Sequence, residues 1–257
     1  MQQNSPIVDI ADRLIPEFLK PPARTVFQWI QTNRFTKVKN TGNGMLTPEE
    51  YELLYKYSKD MSNWNMLEIG AGHGASTVSL ALGIQESGGD AKLYTFEKGK
   101  GGSRDRYGDK ETNIRILKNN LSKFNVQQQV NLLTQRLTYN GGPPKIIRQA
   151  APFGLLFIDA DGQLDRDFEL LYELLLPGGI IIIDDYTPTY INKKSLQTFT
   201  FINHFKNNGL VIEREVYNNL FVGHKPVKEQ SSEIDEAVFA ELEQRAQEVS
   251  SKYNQTN

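Results

Sequence analysis

The stretch Asn65-Met66-Leu67-Glu68-Ile69-Gly70-Ala71-Gly72-His73-Gly74-Ala75-Ser76-Thr77 constrains the fold of this chain more than any other. Met66, Leu67 and Ile69 make the short apolar run of a buried strand, and Val78, Leu80, Ala81 and Leu82 follow in a helical pattern. Between them stand the alternate glycines Gly70, Gly72 and Gly74. A glycine-rich turn from strand to helix lets a ligand approach the backbone, and the helix start presents N–H groups to it. The spacing is G-x-G-x-G and departs from the G-x-G-x-x-G of dinucleotide binders. Glycine turns also end strands without binding anything. Here the acids at neighbouring strand ends favour the binding reading.

The rest of the chain reads as the α/β alternation that such a turn requires. Thr47-Pro48-Glu49-Glu50 is an N-cap, a proline at N1 and an acidic first turn, opening a helix to about Lys59. Residues 91–96 read as a second strand with Glu97 at its carboxyl end, where an acid commonly takes ribose hydroxyls. The glycine-rich segment 98–110 reads as a polar, mobile loop in which Arg104 and Arg106 are solvated, with contact to an acidic substrate as the alternative. A helix over 113–124 and a strand over 130–134 follow, with Gln135 after the strand as a candidate for an adenine edge. After a short helix over 145–150, Phe153 to Ile158 is a buried strand ending in Asp159-Ala160-Asp161-Gly162. A helix from Leu164 to Leu176 is stopped by Pro177-Gly178-Gly179, and Ile180 to Ile183 forms a central strand ending in Asp184-Asp185-Tyr186. A helix over 194–207 leads to strands 210–216 and 220–224, whose short link predicts an antiparallel hairpin.

At 257 residues the chain suits one α/β domain with appendages. A chain of this length buries about 70–75% of its unfolded surface, so its core needs no staple. It contains no cysteine, which excludes disulfides, thiolate metal sites and thiol catalysis and fits a reducing compartment. With 29 basic against 31 acidic residues there is no net pull toward nucleic acid or an anionic membrane. The N-terminus has no signal-peptide pattern and the Ile180–Ile183 run is too short to span a bilayer, so the expectation is a soluble, cytoplasmic protein. Residues 1–45 read as an N-terminal helical extension, 46–225 as the main domain, and 226–257 as a linker and an amphipathic C-terminal helix. The terminal helices make a homo-oligomer an option. The predicted fold is a Rossmann-like, doubly wound, mostly parallel seven-stranded sheet with a C-terminal antiparallel hairpin and helical extensions at both ends.

Asp159, Asp184 and Asp185 sit at the ends of two apolar strands expected to be close in the sheet. Converging carboxylates repel unless a cation or protons compensate them. Oxygen ligands without Cys or His favour Mg²⁺, Mn²⁺ or Ca²⁺ over Zn²⁺. Aspartates after strands also cap turns and helices, which is the competing account of each one singly.

Leu67-Glu68-Ile69-Gly70-Ala71-Gly72-His73-Gly74 resembles the first motif of class I S-adenosylmethionine-dependent methyltransferases, and Glu97 matches their ribose-binding acid. The segment from Phe157-Ile158-Asp159-Ala160-Asp161-Gly162 to Pro177-Gly178-Gly179 resembles metal-dependent small-molecule O-methyltransferases of the catechol and caffeoyl-CoA type. Those usually carry Asp-Asn after the later strand; Asp184-Asp185-Tyr186 is more similar to macrocin-type sugar O-methyltransferases. The resemblance covers roughly Gly44 to Tyr186. It implies that S-adenosyl-L-methionine is held by Gly70, Gly72, Gly74, Ser76, Glu97, Gln135 and Asp159, with Glu68 holding the cofactor's amino end. It implies that Asp159, Asp184 and Asp185 hold a divalent metal, Mg²⁺ by preference, and that the acceptor is a small hydroxylated metabolite. Catechol-type enzymes place a basic lysine just after the metal aspartate. This chain has Gly162 there, which leaves Asp159 or Asp161 to take the proton, with His73 and His204 as alternatives; Tyr186 reads equally as a pocket wall or as an aromatic that merely packs. The competing functions are a metal-independent N- or O-methyltransferase, a nicotinamide-dependent oxidoreductase and a non-catalytic cofactor-binding scaffold.

Overall fold

A computed structural model describes residues 33–100, 102–159, 163–187 and 193–227. Helix α1 spans 33–41. The remaining elements in chain order are α2 (Pro48–Asp60), β1 (Asn65–Ile69), α3 (Ala75–Ser87), β2 (Leu93–Phe96), α4 (Lys110–Lys123), β3 (Val130–Leu133), α5 (Lys145–Ala150), β4 (Phe153–Ile158), α6 (Leu164–Leu171), β5 (Leu175–Ile183), α7 (Lys193–Asn207), β6 (Ile212–Tyr217) and β7 (Leu220–His224). The seven strands lie in the order β3-β2-β1-β4-β5-β7-β6. Strands β1 to β5 pair in parallel, and β7 runs antiparallel to both β5 and β6, so the expected hairpin closes the sheet.

Strand alternation builds two apolar layers. Leu155 and Phe157 of β4 and Ile180 and Ile182 of β5 face one core, with Phe35, Leu54, Val78, Leu80, Ile84 and Leu117 from α1 to α4. Leu156, Ile158, Ile181 and Ile183 face the other, with Ile147, Phe168, Phe201 and Phe205 from α5 to α7. Phe168 and Phe205 stack with ring centroids 4.0 Å apart and join α6 to α7. Helix α3 is buried from Ala75 to Ile84, which is why its sequence shows little polar face. Phe35 and Val38 are fully buried in the first core, so the chain from residue 33 onward is integral to this fold. The expected extension before residue 33 and the amphipathic helix after residue 227 lie outside the described residues, and so does any oligomer contact they were expected to make. Among the described residues no helix is long and apolar enough to cross a membrane.

Local signals read from the sequence mostly hold. Thr47 closes a capping box with Glu50: its hydroxyl accepts from Glu50 N at 3.3 Å, and its own N–H donates to Glu50 Oε2 at 2.6 Å. The helix expected over 164–176 ends at Leu171, passes through a 3-10 turn, and gives way to β5 at Leu175. Pro177-Gly178-Gly179 is therefore a bulge inside β5 and not a helix stop. Phe153 pairs with Leu175 but Leu155 pairs with Ile180, and the extra residues bond outward, Gly178 N–H to Lys225 O and Lys225 N–H to Gly179 O. The loop expected over 98–110 contains a 3-10 helix, Gly102–Tyr107, and α4 starts earlier than expected because Asp109 accepts from Thr112 N as its N-cap.

Candidate active site

Parallel register brings the strand ends level. Ile69 pairs with both Phe96 and Ile158, and Ile158 pairs with Ile183, so the next residues, Glu97, Gly70, Asp159 and Asp184, fall in one row along the carboxyl edge. Asp159 N–H donates to Ile69 O at 2.9 Å and Asp184 N–H to Ile158 O at 3.0 Å, which pins the row. The row straddles the β1/β4 boundary, where the chain order reverses and an open parallel sheet leaves its crevice.

The glycine turn is built as its spacing requires. Gly70, Gly72 and Gly74 have φ of 99°, 57° and 94°, a region that L side chains seldom adopt. Gly74 is doubly constrained, since a Cβ there would meet Leu117 Cδ1 at 2.5 Å. Glu97 ties this turn to the next loop: its Oε2 accepts from Gly72 N and its Oε1 from Gly99 N, both at 2.6 Å.

Glu68 requires a correction. It is 0% exposed, and its carboxylate accepts from Ser76 Oγ at 2.5 Å, Thr77 Oγ1 at 2.7 Å and Thr95 Oγ1 at 2.6 Å. A carboxylate sealed beneath the loop and bonded to three hydroxyls borders neither of the two clefts beside the turn. It fastens the start of α3 to β1 and β2 from below. Burial pushes its carboxyl above the usual range, against the pull of those hydroxyls.

Two clefts flank the turn and share Gly70 and Asp159. The first is bordered by Glu97, Gln135, Leu137, Gln163 and Arg166. The second, about 280 Å³, lies under the 42–46 loop and is bordered by Tyr51, Gly72, His73, Ser76, Arg106 and Tyr107. Arg106, expected in a solvated loop, thus stands on a cleft wall, and the side chain of Arg104 is outside the description. Gly42 and Gly44 let the 42–46 loop press on the turn: a Cβ would lie 2.7 Å from Ala75 N at the first and 2.0 Å from Tyr51 Oη at the second. His73 fastens the loops together. Its Nε2 meets Asn113 Oδ1 at 2.8 Å and its Nδ1 meets Asn43 Nδ2 at 3.3 Å. Because Asn113 Nδ2 donates to the Gly99 carbonyl, its oxygen faces the ring, which assigns the ring proton to Nε2. His73 is then a structural link between loops.

At the other end of the row, Asp159, Asp184 and Asp185 each present an oxygen, all within 4.8 Å of one another. Asp185 reaches this position with φ of 62°, an unusual backbone state for a residue other than glycine and one that aspartate tolerates. Burial first, then Asp159 and Asp185, push the Asp184 carboxyl well above the usual range. Lys194 was not among the residues singled out from the sequence. Its Nζ lies 3.0 Å from Asp159 Oδ1 and 2.5 Å from Asp185 Oδ2. Burial alone would lower the lysine, but the two aspartates hold its ammonium charged and raise it above the ordinary value. Its only sequence signal was a position just inside a helix after the acidic strand end, which many solvated lysines share.

Asp161 and Gly162 lie outside the described residues. Tyr186 is buried and packs on Phe199 and Phe221, with ring centroids at 5.1 Å and 5.2 Å, so it belongs to the core and not to a pocket wall. His204 sits in the last turn of α7 and borders neither cleft.

Residues 67–186 match a family model described as a methyltransferase domain, and this segment carries the glycine turn and the whole acidic row. No curated protein matches the chain by sequence. Solved structures share the fold. The O-methyltransferase TomG from Streptomyces achromogenes, involved in tomaymycin synthesis and solved with SAM, is 16% identical with a TM-score of 0.53, covering 85% of this chain and 95% of its own. The O-methyltransferase from Bacillus cereus in complex with SAH is 21% identical with a TM-score of 0.51, covering 84% and 96%. The SAH-bound methyltransferase PaMTH1 from Podospora anserina is 16% identical with a TM-score of 0.54, covering 88% and 97%.

Proposed function

We propose, from the premise that residues 67–186 form a methyltransferase domain, that this chain is an S-adenosylmethionine-dependent O-methyltransferase acting on a small hydroxylated metabolite with the help of a divalent cation. The observation that carries the reading is the row Glu97, Gly70, Asp159 and Asp184 along one sheet edge, with a cleft on either side of the turn. The first cleft suits the adenosine. Glu97 would receive the ribose hydroxyls and Gln135 the base, with Leu137 as an apolar wall. The glycine turn passes beneath the methionine part, and the second cleft receives the acceptor beside Tyr51 and Arg106.

The acidic cluster fits a hard cation: three carboxylates with oxygens within 4.8 Å of one another, in a chain without cysteine. Asp159, Asp184 and Asp185 would hold it. When bound, such a cation supplies Lewis acidity toward an acceptor hydroxyl. Asp159, shared by both clefts, stands where it would orient that hydroxyl and accept its proton, a role Asp161 would share. Methyl transfer makes an oxygen–carbon bond and breaks the carbon–sulfur bond, whose electron pair neutralises the sulfonium. The leaving group needs no acid, so the protein's main task is alignment.

Calorimetry with S-adenosylhomocysteine and with NAD tests the cofactor, and labelled methyl transfer to hydroxylated acceptors, with Mg²⁺ or after exhaustive EDTA treatment, tests the rest. Micromolar binding of S-adenosylhomocysteine without NAD binding, and transfer abolished by EDTA, are expected. Failure to bind the product refutes the reading, and transfer that survives EDTA removes the metal from it.

A further inference from the structure

The ammonium of Lys194 stands among the carboxylates that a divalent cation would need, donating to Asp159 and paired with Asp185. We infer that Lys194 is the built-in counterion of the acidic rim and that its ammonium and a divalent cation occupy the rim by turns, so that the lysine must swing away for metal to enter. The inference rests on the metal part of the function proposed above.

Three features support the exchange. First, charge: aspartates gathered this tightly repel unless compensated, and the lysine supplies that compensation when metal is lacking. Second, mobility: Lys194 lies in the first turn of α7 on a four-carbon stem with side-chain exposure of 29%, so it can leave by changing rotamer while the sheet stays intact. Third, shared contacts: both Lys194 partners belong to the three-carboxylate cluster, so metal and ammonium draw on the same carboxylates and repel each other at close range. A rim held mostly in its lysine-paired state binds metal with an affinity reduced by the fraction of time it is open. Lys194 is thus a positioning residue. It holds Asp159 and Asp185 together beside the clefts while no metal is bound, and it weakens metal binding.

The test uses the full chain saturated with S-adenosylhomocysteine, with Mn²⁺ binding followed by electron paramagnetic resonance and melting followed with and without EDTA. Lys194→Met is expected to bind Mn²⁺ tighter than the parent by on the order of tenfold or more. It is also expected to melt lower in EDTA and to recover with Mg²⁺ more than the parent does. Lys194→Arg, which keeps the charge, is expected to bind Mn²⁺ as weakly as the parent, and it serves if the methionine variant does not fold. Equal Mn²⁺ affinity in parent and Lys194→Met, or tighter binding by Lys194→Arg, overturns the exchange while leaving the metal site standing. Absence of Mn²⁺ binding in all three proteins, with S-adenosylhomocysteine still bound, overturns the exchange together with the metal part of the function.

Discussion

Glu68 and Asp184 are carboxylates on adjoining parts of one sheet, one inside β1 and the other just past β5, and the protein treats them in opposite ways. Glu68 is surrounded by neutral donors, the hydroxyls of Ser76, Thr77 and Thr95, which bond both of its oxygens. Asp184 is surrounded by its own kind, and one lysine on a flexible stem balances the group. In both cases burial raises the carboxyl. A structural acid is finished with hydroxyls, whose dipoles need no partner of opposite charge. An acid kept among other acids holds repulsion that only a cation or a proton relieves. The half of the crevice near β1 and β2 is therefore preorganised, and the half near β4 and β5 is poised to exchange its counterion.

The comparison can be broken by removing a member of each half. Asp159→Ala is expected to have the largest effect, because it takes away a carboxylate proposed to hold the cation and a wall shared by both clefts. Mg²⁺-stimulated methyl transfer should fall by on the order of a thousandfold, while circular dichroism and binding of S-adenosylhomocysteine to the folded protein persist in part. A variant with full Mg²⁺-stimulated turnover would remove the rim from catalysis. Glu97→Ala comes next: losing charge-assisted hydrogen bonds to a ribose should weaken S-adenosylhomocysteine binding by roughly ten- to a hundredfold in calorimetry. Unchanged affinity would leave Glu97 with only its loop-tying contacts to Gly72 and Gly99.

Glu68→Gln sharpens the contrast from the structural side. An amide faces the three hydroxyls with one oxygen in place of two, so stability should drop by about 1–3 kcal/mol in denaturant titration. The product affinity of the folded fraction should change little, and a large loss of affinity at unchanged stability would return Glu68 to the ligand. The smallest effect concerns Asp167 on α6, which accepts from Arg166 Nε at 2.7 Å and so steadies a wall of the first cleft. Burial raises its carboxyl to about 6, with Arg166 opposing, and its Oδ2 has no hydrogen-bond partner among the described residues. A carboxyl raised in the folded state contributes stability below the unfolded value of about 3.9 that is lost as pH rises through about 6. Asp167→Asn should therefore flatten the decline in unfolding free energy between pH 4 and 7, followed by denaturant titration, by an amount on the order of 1 kcal/mol. An unaltered pH profile would show that Asp167 does not carry that slope.

Much of this was legible before any coordinates. The turn from Gly70 to Gly74 was readable because positive φ at alternate positions leaves a mark in residue type. The Thr47 cap, the apolar strands and the acids after them were readable for the same reason: each depends on a few consecutive residues. Pro177-Gly178-Gly179 misled because proline and glycine punctuate a helix end and a strand bulge alike, and the choice depended on the partner strand's register. Glu68 misled because a burial of this kind is decided by Ser76, Thr77 and Thr95 arriving from two other elements. The tightness of the loop at Gly42 and Gly44 came from Ala75 and Tyr51, which ordinary loop composition does not announce.

Residue order alone established an alternating strand and helix chain, a turn only glycine could make, and acids waiting at strand ends, because backbone preference and hydrophobic period act over a few neighbouring positions. Placing β1 between β2 and β4 belonged to the folded molecule, and so did lining up Glu97, Gly70, Asp159 and Asp184. So did bringing Lys194 across 35 positions to Asp159. Such meetings are set by how helices and strands pack into a common core, and no local stretch of sequence carries that information.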